Sequence, residues 1–265
     1  MPSLSPEQRH HVAEQGYAVV PDVLSPAAVA QLIALTERAR TTAQAESVRN
    51  SSGTYGLRNL VDVIPEVADL AAAACVRSVV DPILGSGAFM VRATLFDKTP
   101  GANWGVFWHQ DLSIAVRQKH ELPGYSAWTR KAGVPCVQPP VSVMRQMLAV
   151  RLHLDDCHSG CGALKVLPGS HLSDRLDSTA VNSLEQATPA VTCEVPAGGA
   201  VLMRPLLLHA SSPMENATSR RVIHFEYASV DLPPPLEWAY QIRAAGGTDH
   251  QSAAATQWGL STDQC

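Results

Sequence analysis

The chain has no surplus of basic residues: 20 Lys+Arg stand against 24 Asp+Glu, a formal net charge of −4 over 265 residues. Binding to a phosphate backbone depends on such a surplus, so nucleic acid is not an expected partner. Long apolar runs are also missing. The longest aliphatic stretch, Ala71 to Val76 and on past Arg77, falls far short of the roughly 20 residues that cross a bilayer, and no membrane is expected. The N-terminus, MPSLSPEQRHHVAEQGY, carries charge and imidazole and lacks the apolar core of a signal peptide, which points to the cytoplasm. Cysteines are few and scattered, at Cys75, Cys136, Cys157, Cys161, Cys193 and Cys265. In a reducing compartment they are expected as thiols, with no disulfides. No internal repeat is visible, and aromatic residues make up only 5% of the chain.

What is present is a composition of 46% hydrophobic and 17% charged residues, enough apolar material for a sizeable core. Ser25-Pro26 is a helix-opening pair, and Val29, Leu32, Ile33 and Leu35 then recur at helical spacing as far as Arg38 to Arg40. A second helix is expected from about Pro65 to Val80, closed by the turn Leu84-Gly85-Ser86-Gly87. From Phe89 the texture changes to short apolar runs separated by Pro, Gly, Asn and Asp, the pattern of a sandwich or barrel. Strands are predicted at Phe89 to Phe96, Met147 to Leu154, Ala163 to Leu167, Val191 to Val195, Ala200 to Met203 and Arg221 to Tyr227, with turns at Pro168-Gly169 and Gly198-Gly199. Gln118 to Pro140 reads as a long loop, either a lid or substrate-pocket wall that Tyr125 and Trp128 would furnish or an assembly contact. Oligomeric state stays open.

Within the Met147 segment, Leu148, Val150, Leu152 and Leu154 fall on one face and Met147, Ala149, Arg151 and His153 on the other. The first face belongs to a core; the second could line a polar cavity, or face water at a sheet edge.

His109-Gln110-Asp111 places an imidazole and a carboxylate two residues apart, on one face of a strand and able to share a metal. Such a pair is common by chance and needs a third ligand. His153, His158, His171, His209 and His224 are the downstream candidates. His209 ends the apolar run from Ala200 to Leu208 and is followed by Ser211 and, eleven residues on, by Arg220, whose guanidinium could hold a dicarboxylate by a bidentate fork.

Together these segments resemble the phytanoyl-CoA dioxygenase family of iron(II)/2-oxoglutarate-dependent oxygenases. The resemblance runs from Gly16-Tyr17-Ala18-Val19-Val20-Pro21 through Trp108-His109-Gln110-Asp111, Gly162-Ala163-Leu164 and Pro168-Gly169-Ser170-His171 to Leu208-His209-Ala210-Ser211 and Arg220. It implies a mainly β (α+β) fold, a double-stranded β-helix or cupin-like jelly roll with flanking N-terminal helices. The whole chain, 1–265, would then be one domain: a helical flank over 1–88, a jelly-roll core over 89–230 and a loose tail over 240–265. It also implies iron(II) held by His109, Asp111 and His209, with 2-oxoglutarate and dioxygen as co-substrates. Arg220 would take the distal carboxylate of 2-oxoglutarate, with Ser211 and Arg151 nearby. Arg221 is the competing cation, but strand parity groups Arg220 with Val222, His224 and Glu226 and leaves Arg221 with Ile223 and Phe225.

The implied reaction is hydroxylation of an unactivated C–H bond in a small-molecule metabolite. Asp111 favours this over halogenation, because halogenating members carry a small residue in place of that carboxylate. The competing class is a metal-binding jelly roll that is an isomerase or a sensor, which would have no use for Arg220. The Pro-Gly-Ser-His turn makes His171 a loop residue, and Cys157, His158 and Cys161 are too few for structural zinc. Asp155-Asp156 reads as a turn. Trp104, Trp108 and Trp128 are pocket-wall or core residues, and Lys98 and Asn103 either reach a substrate carboxylate or cap a turn.

Overall fold

Ser5 opens helix α1 (Pro6–Gln15) with a reciprocal cap: its hydroxyl accepts from the Gln8 amide at 3.2 Å and the Gln8 side chain accepts from the Ser5 amide at 2.9 Å. Gly16 closes the helix at φ 85°, where a Cβ would also come within 2.5 Å of His171 Nδ1, so glycine is required there twice over. The structure, a computed structural model, describes residues 4–42, 47–50, 53–215 and 219–244. Strand β1 (Tyr17–Val20) leads into α2 (Pro26–Thr42), capped by the Ser25 hydroxyl, which accepts from the Ala28 amide. Next come β2 (Ser47–Asn50), β3 (Gly53–Leu57), α3 (Leu60–Val63), α4 (Glu66–Ala72) and α5 (Ala74–Leu84). The single helix expected over Pro65 to Val80 is therefore two helices. Ala73, at φ −68° and ψ 147°, breaks it, and the alanine-rich sequence around it contains no breaker to announce this.

Strands β4 (Phe89–Lys98), β5 (Val106–His109), β6 (Ile114–Ala115), β7 (Ser126–Lys131) and β8 (Val134–Gln138) follow, then α6 (Val141–Met144), β9 (Met147–His153) and β10 (Leu164–Val166). Helix α7 (Ser178–Ala187) precedes β11 (Val191–Cys193), β12 (Ala200–Met203), β13 (His209–Ser211), β14 (Arg220–Ala228) and β15 (Ile242–Arg243). Each strand expected from the sequence is present, within a few residues at its ends.

The strands form three antiparallel sheets. The largest has the order β1-β12-β9-β14-β4-β3-β2, with β15 also on β4; the second runs β11-β10-β13-β5; the third is β6-β8-β7. From β9 to β14 the chain passes between the first two sheets, so that they face each other as a jelly roll rather than closing into one barrel. The first 88 residues are mostly helical, in α1 to α5, and they also add strands β1 to β3 to the main sheet, with β1 and β2 at its two edges. The tail expected from residue 240 is also pinned where described, by β15 on β4 and by Tyr240 Oη donating to Asp62. Residues 245–265, with Cys265, lie outside the described residues. Cys75, Cys136, Cys157, Cys161 and Cys193 are free thiols, and among the described residues no helix is long and apolar enough to cross a membrane.

The alternation read along β9 holds. Leu148, Val150 and Leu152 join Ile223, Phe225 and Tyr227 of β14 in the core beneath the helices, while Arg151 faces a cavity between the sheets; β9 is buried throughout, which removes the water-facing edge alternative. Each such aliphatic side chain removed from water stabilises the fold by about 1.5–3 kcal/mol. Among the polar contacts that tie helices to sheet, one is completely buried at its sheet end: Tyr227 donates its hydroxyl to the Ala71 carbonyl at 2.7 Å. Tyr227→Phe leaves that carbonyl buried and unpaired, a cost of about 1–3 kcal/mol. Chemical denaturation followed by circular dichroism should show a lower midpoint at unchanged slope; an unchanged midpoint would mean that this bond does not hold the helices to the sheet.

Candidate active site

His209 on β13 and His109 on β5 are direct cross-strand partners, and their rings lie 4.1 Å apart between centroids. Each ring has its Nδ1 2.9 Å from a backbone carbonyl two residues earlier, Leu207 for His209 and Phe107 for His109. With Nδ1–H donating there, the Nε2 lone pair of each is left for a ligand. Asp111 lies past the end of β5 rather than on it, so the two-residue spacing works through a turn held by the Asp111 amide donating to the Pro205 carbonyl at 2.9 Å. Its Oδ2 is 3.7 Å from His209 Nε2, and one donor atom from each of the three residues fits within 4.8 Å of the others. Among the described residues this is the one cluster of His, Cys, Asp or Glu with metal-ligand spacing.

Gln110, between His109 and Asp111, is a residue that sequence reasoning passed over. Buried, it donates to the Leu206 and Asp174 carbonyls at 2.7 Å and accepts from the Leu176 amide at 2.9 Å, fixing the turn that aims Asp111. Its position opposite in parity to His109 and Asp111 was the only available signal. Burial pushes the Asp111 carboxyl up, but the His209, His224 and His109 imidazoles and the Arg151 guanidinium outweigh it and hold it below the usual carboxylate range. Burial lowers His209 to about 4, against the opposing pull of Asp111. At neutral pH the cluster is a carboxylate beside a neutral imidazole, the protonation state that binds a divalent metal.

The cluster lies in a cavity of about 270 Å³ lined from both sheets, with Arg151, His224 and Arg220 on its main-sheet side. Arg151 and His224 are cross-strand neighbours, Nη1 to Nδ1 3.1 Å apart. Arg220 lines the cavity with His224 and Glu226, as strand parity required. Arg221 points the other way, its guanidinium held by Asp155 at 2.7 Å and 3.0 Å and by Glu37 at 2.9 Å. Asp155 thus serves Arg221, not the site, and Asp156 accepts from the Ala197 amide in a turn. Arg220 donates to the Gly162 carbonyl at 2.7 Å. Gly162, at φ 65°, could not carry a Cβ, which would come within 2.4 Å of the Ser212 carbonyl oxygen and 3.1 Å of Lys98 Nζ.

Lys98 is completely buried beneath this end, donating to Ser211 Oγ at 3.1 Å and to the Ser212 carbonyl at 2.6 Å. Because Ser211 Oγ accepts from Lys98, its own hydrogen is free for another acceptor. Burial, reinforced by Arg220 and Arg151, brings Lys98 down to about 7. Asn103 caps a turn, bonding both ways to the Met214 backbone.

The remaining expectations sort by position. His171 Nε2 donates to the Ala13 carbonyl, 3.1 Å away, and His158 sits 3.0 Å from Cys161 Sγ; neither is in the metal cluster. His153 is buried without a partner behind the cavity wall. The pocket residues need correcting. Trp108 donates to Glu185 on α7, while Tyr125 and Trp128 belong to a separate hydrophobic cluster, so none of the three lines the cavity, whereas Trp104 does. The stretch Gln118 to Pro140 is likewise not a loop but contains the β7–β8 hairpin, and Lys131, Val134 and Cys136 are its contributions to the cavity wall.

The family model described as phytanoyl-CoA dioxygenase matches residues 12–222. Among curated proteins, none matches the sequence. Solved structures do match in fold. AviO1 from Streptomyces viridochromogenes Tue57 is 24% identical, with 88% of this chain and 99% of that one covered at a TM-score of 0.64. SnoK, a non-haem α-ketoglutarate-dependent carbocyclase from nogalamycin biosynthesis, is 18% identical over 92% and 94% of the two chains, at a TM-score of 0.69. EctD from S. alaskensis, solved with 2-oxoglutarate and 5-hydroxyectoine, is 20% identical over 85% of this chain and 76% of that one, at a TM-score of 0.68. With the family model covering most of its length, the chain belongs to the phytanoyl-CoA dioxygenase family.

Proposed function

We propose that the protein is an iron(II)- and 2-oxoglutarate-dependent dioxygenase that hydroxylates an unactivated C–H bond of a small-molecule metabolite. The observation that carries this reading is the joint presence, in one cavity, of the His109–Asp111–His209 cluster and the buried cation Arg220. Family membership and the ligands of EctD support it. The residues fit the absent groups: both histidines keep Nε2 free, and the Nε atoms of Arg220 and Arg151 are buried with no partner, as suits cations that await an anionic co-substrate. A sensor or isomerase would have no need of two buried guanidinium groups with unpartnered Nε atoms.

His109, Asp111 and His209 would hold the iron on one face, leaving positions for 2-oxoglutarate and dioxygen. When bound, these supply the oxidising power for attack on a C–H bond. Arg220, with the Ser211 hydroxyl, would hold the distal carboxylate, and Arg151 lines the same cavity from β9, the strand paired with β14. Lys98 orients Ser211 from below. Gln110 keeps Asp111 in place, and the β7–β8 hairpin walls the cavity against water. Asp111 occupies the position that halogenating relatives leave open, which favours hydroxylation. The free thiols fit a cytoplasmic setting.

Replacing His109, Asp111 or His209 by Ala should abolish iron(II) binding, measured by metal analysis after desalting, and with it 2-oxoglutarate-dependent succinate formation. His171→Ala should keep its metal. If His171→Ala empties the site while His209→Ala does not, the ligand set is wrong. A charge-assisted contact between Arg220 and a carboxylate is worth about 1.5–3 kcal/mol, so Arg220→Ala should weaken 2-oxoglutarate about 10- to 150-fold in anaerobic calorimetry. Arg221→Ala should leave that affinity within twofold, and the reverse result would reassign the co-substrate cation.

A further inference from the structure

The cavity contains more positive charge than a metal site and one dicarboxylate can use. Five cations line it, Arg58, Arg92, Lys131, Arg151 and Arg220, against two carboxylates, Asp111 and Glu226. On the proposed function, Arg220 and Arg151 answer the co-substrate and Asp111 answers the metal. Arg92 is neutralised within the protein, 3.0 Å from Glu226 and donating also to the Ser113 carbonyl at 2.9 Å. Arg58 and Lys131 remain. Among the described residues neither meets a carboxylate; Lys131 Nζ has the Ser113 hydroxyl at 3.2 Å.

The fold brings these two together from distant segments. Arg58 follows Leu57, the β3 residue paired with Leu95, so it stands toward the Thr94 and Arg92 half of β4, away from Lys98 and Arg220 at the far end. Lys131 ends β7. Asn59 Nδ2 donates to the Ala132 carbonyl at 2.9 Å, a bond between the residues next to each of them, and it fastens the hairpin tip to the corner before α3. Along β14, Arg220 and Glu226 are six residues apart, about 20 Å at the usual rise of an antiparallel strand. The cavity therefore has two cationic ends, with the metal cluster facing the floor between them.

We infer that the Arg58–Lys131 end is an oxyanion subsite, and that the substrate carries a carboxylate or phosphate group held there while its reacting carbon lies at the metal cluster. This rests on the proposed function for the other end of the cavity. Two half-buried cations on the wall of one cavity, neither paired to a carboxylate among the described residues, present an attractive field to an anionic ligand group. A neutral substrate would leave both unmatched.

The test uses protein loaded anaerobically with iron(II) and 2-oxoglutarate, which fills the Arg220 end first. Benzoate, phenyl phosphate and the neutral control benzamide are then titrated by calorimetry into wild type, R58Q, K131Q and R58K. At least one of the two anions should bind wild type, lose about tenfold or more in affinity in R58Q and in K131Q, and retain most of it in R58K. Benzoate alone marks a carboxylate subsite, phenyl phosphate alone a phosphate subsite. The inference is overturned if neither anion binds wild type, if benzamide binds as tightly as both, or if R58Q and K131Q leave anion affinity unchanged. The 2-oxoglutarate affinity of each variant reports that the rest of the cavity is folded. Failure of wild type to bind 2-oxoglutarate would strike the oxygenase reading instead, and the same anion titrations on the iron-loaded protein would still decide the subsite.

Discussion

Strand β14 has water on neither face, and that constraint organises everything around it. Its alternation sends Ile223, Phe225 and Tyr227 into the core beneath the helices and Arg220, His224 and Glu226 into the cavity. A slip of one residue would exchange the two sets, driving charges into the core and aromatic rings into the site, so register is specified as strongly by the polar row as by the apolar one. The polar row is admissible only because each member is supported: Arg220 by the Gly162 carbonyl, His224 by Arg151, Glu226 by Arg92. Arg221, of opposite parity, takes its own carboxylates at Asp155 and Glu37 on the other side of the sheet. Two adjacent arginines are thereby assigned to different faces by the pleat alone.

The opposing sheet solves a different problem, the rigid presentation of two imidazoles. Direct cross-strand pairing brings His109 and His209 together, and a backbone carbonyl two residues upstream fixes each ring. The register between β5 and β13 shifts after this pair, with Ser211 opposite Val106 instead of Phe107. That irregularity lets Val106 and His109 both line the cavity although they are three residues apart, and leaves Phe107 exposed to solvent. Asp111 is reached by an irregular segment whose shape depends on Gln110, so the third member of the cluster is placed by a neighbouring amide more than by a strand face.

Where an apolar face repeats at the period of its element, the sequence announced the element; where the period is broken, it did not. The leucines and valines of β9 alternate cleanly and were legible, as were the apolar stripe of α2 and the parity of Arg220. Strand β7 was not: nearly all of SAWTRK is exposed or half-buried, Ala127 sits at φ 50°, and the pairing with β8 shifts between Ser126 and Thr129, so no two-residue period survives to be read. Trp128 and Tyr125 looked like pocket residues because they are large and follow the metal motif, yet they pack into a separate cluster behind the hairpin. The His109–Asp111–His209 cluster could be inferred from local spacing and resemblance. Arg58 and Lys131 could not, since what joins them is a contact between residues 59 and 132, seventy-three positions apart.

Net charge misled in a specific way. A chain at −4 has no field to attract a polyanion, but five of its 20 Lys+Arg side chains line one cavity. Inside low-dielectric walls, like charges interact more strongly than they would on a surface, and the effect is visible in the cations themselves: burial and then the nearby Arg220 together lower Arg151 to about 10. The ligand-free protein therefore contains electrostatic repulsion that apolar burial elsewhere must offset. An anionic co-substrate relieves it, and binding that favours the folded state raises stability in step with ligand concentration. The same two-sheet enclosure that makes the repulsion costly also limits relief to ligands small enough to enter, so on the proposed function a preference for small anions follows from where the charges are buried and not from the net charge of the chain.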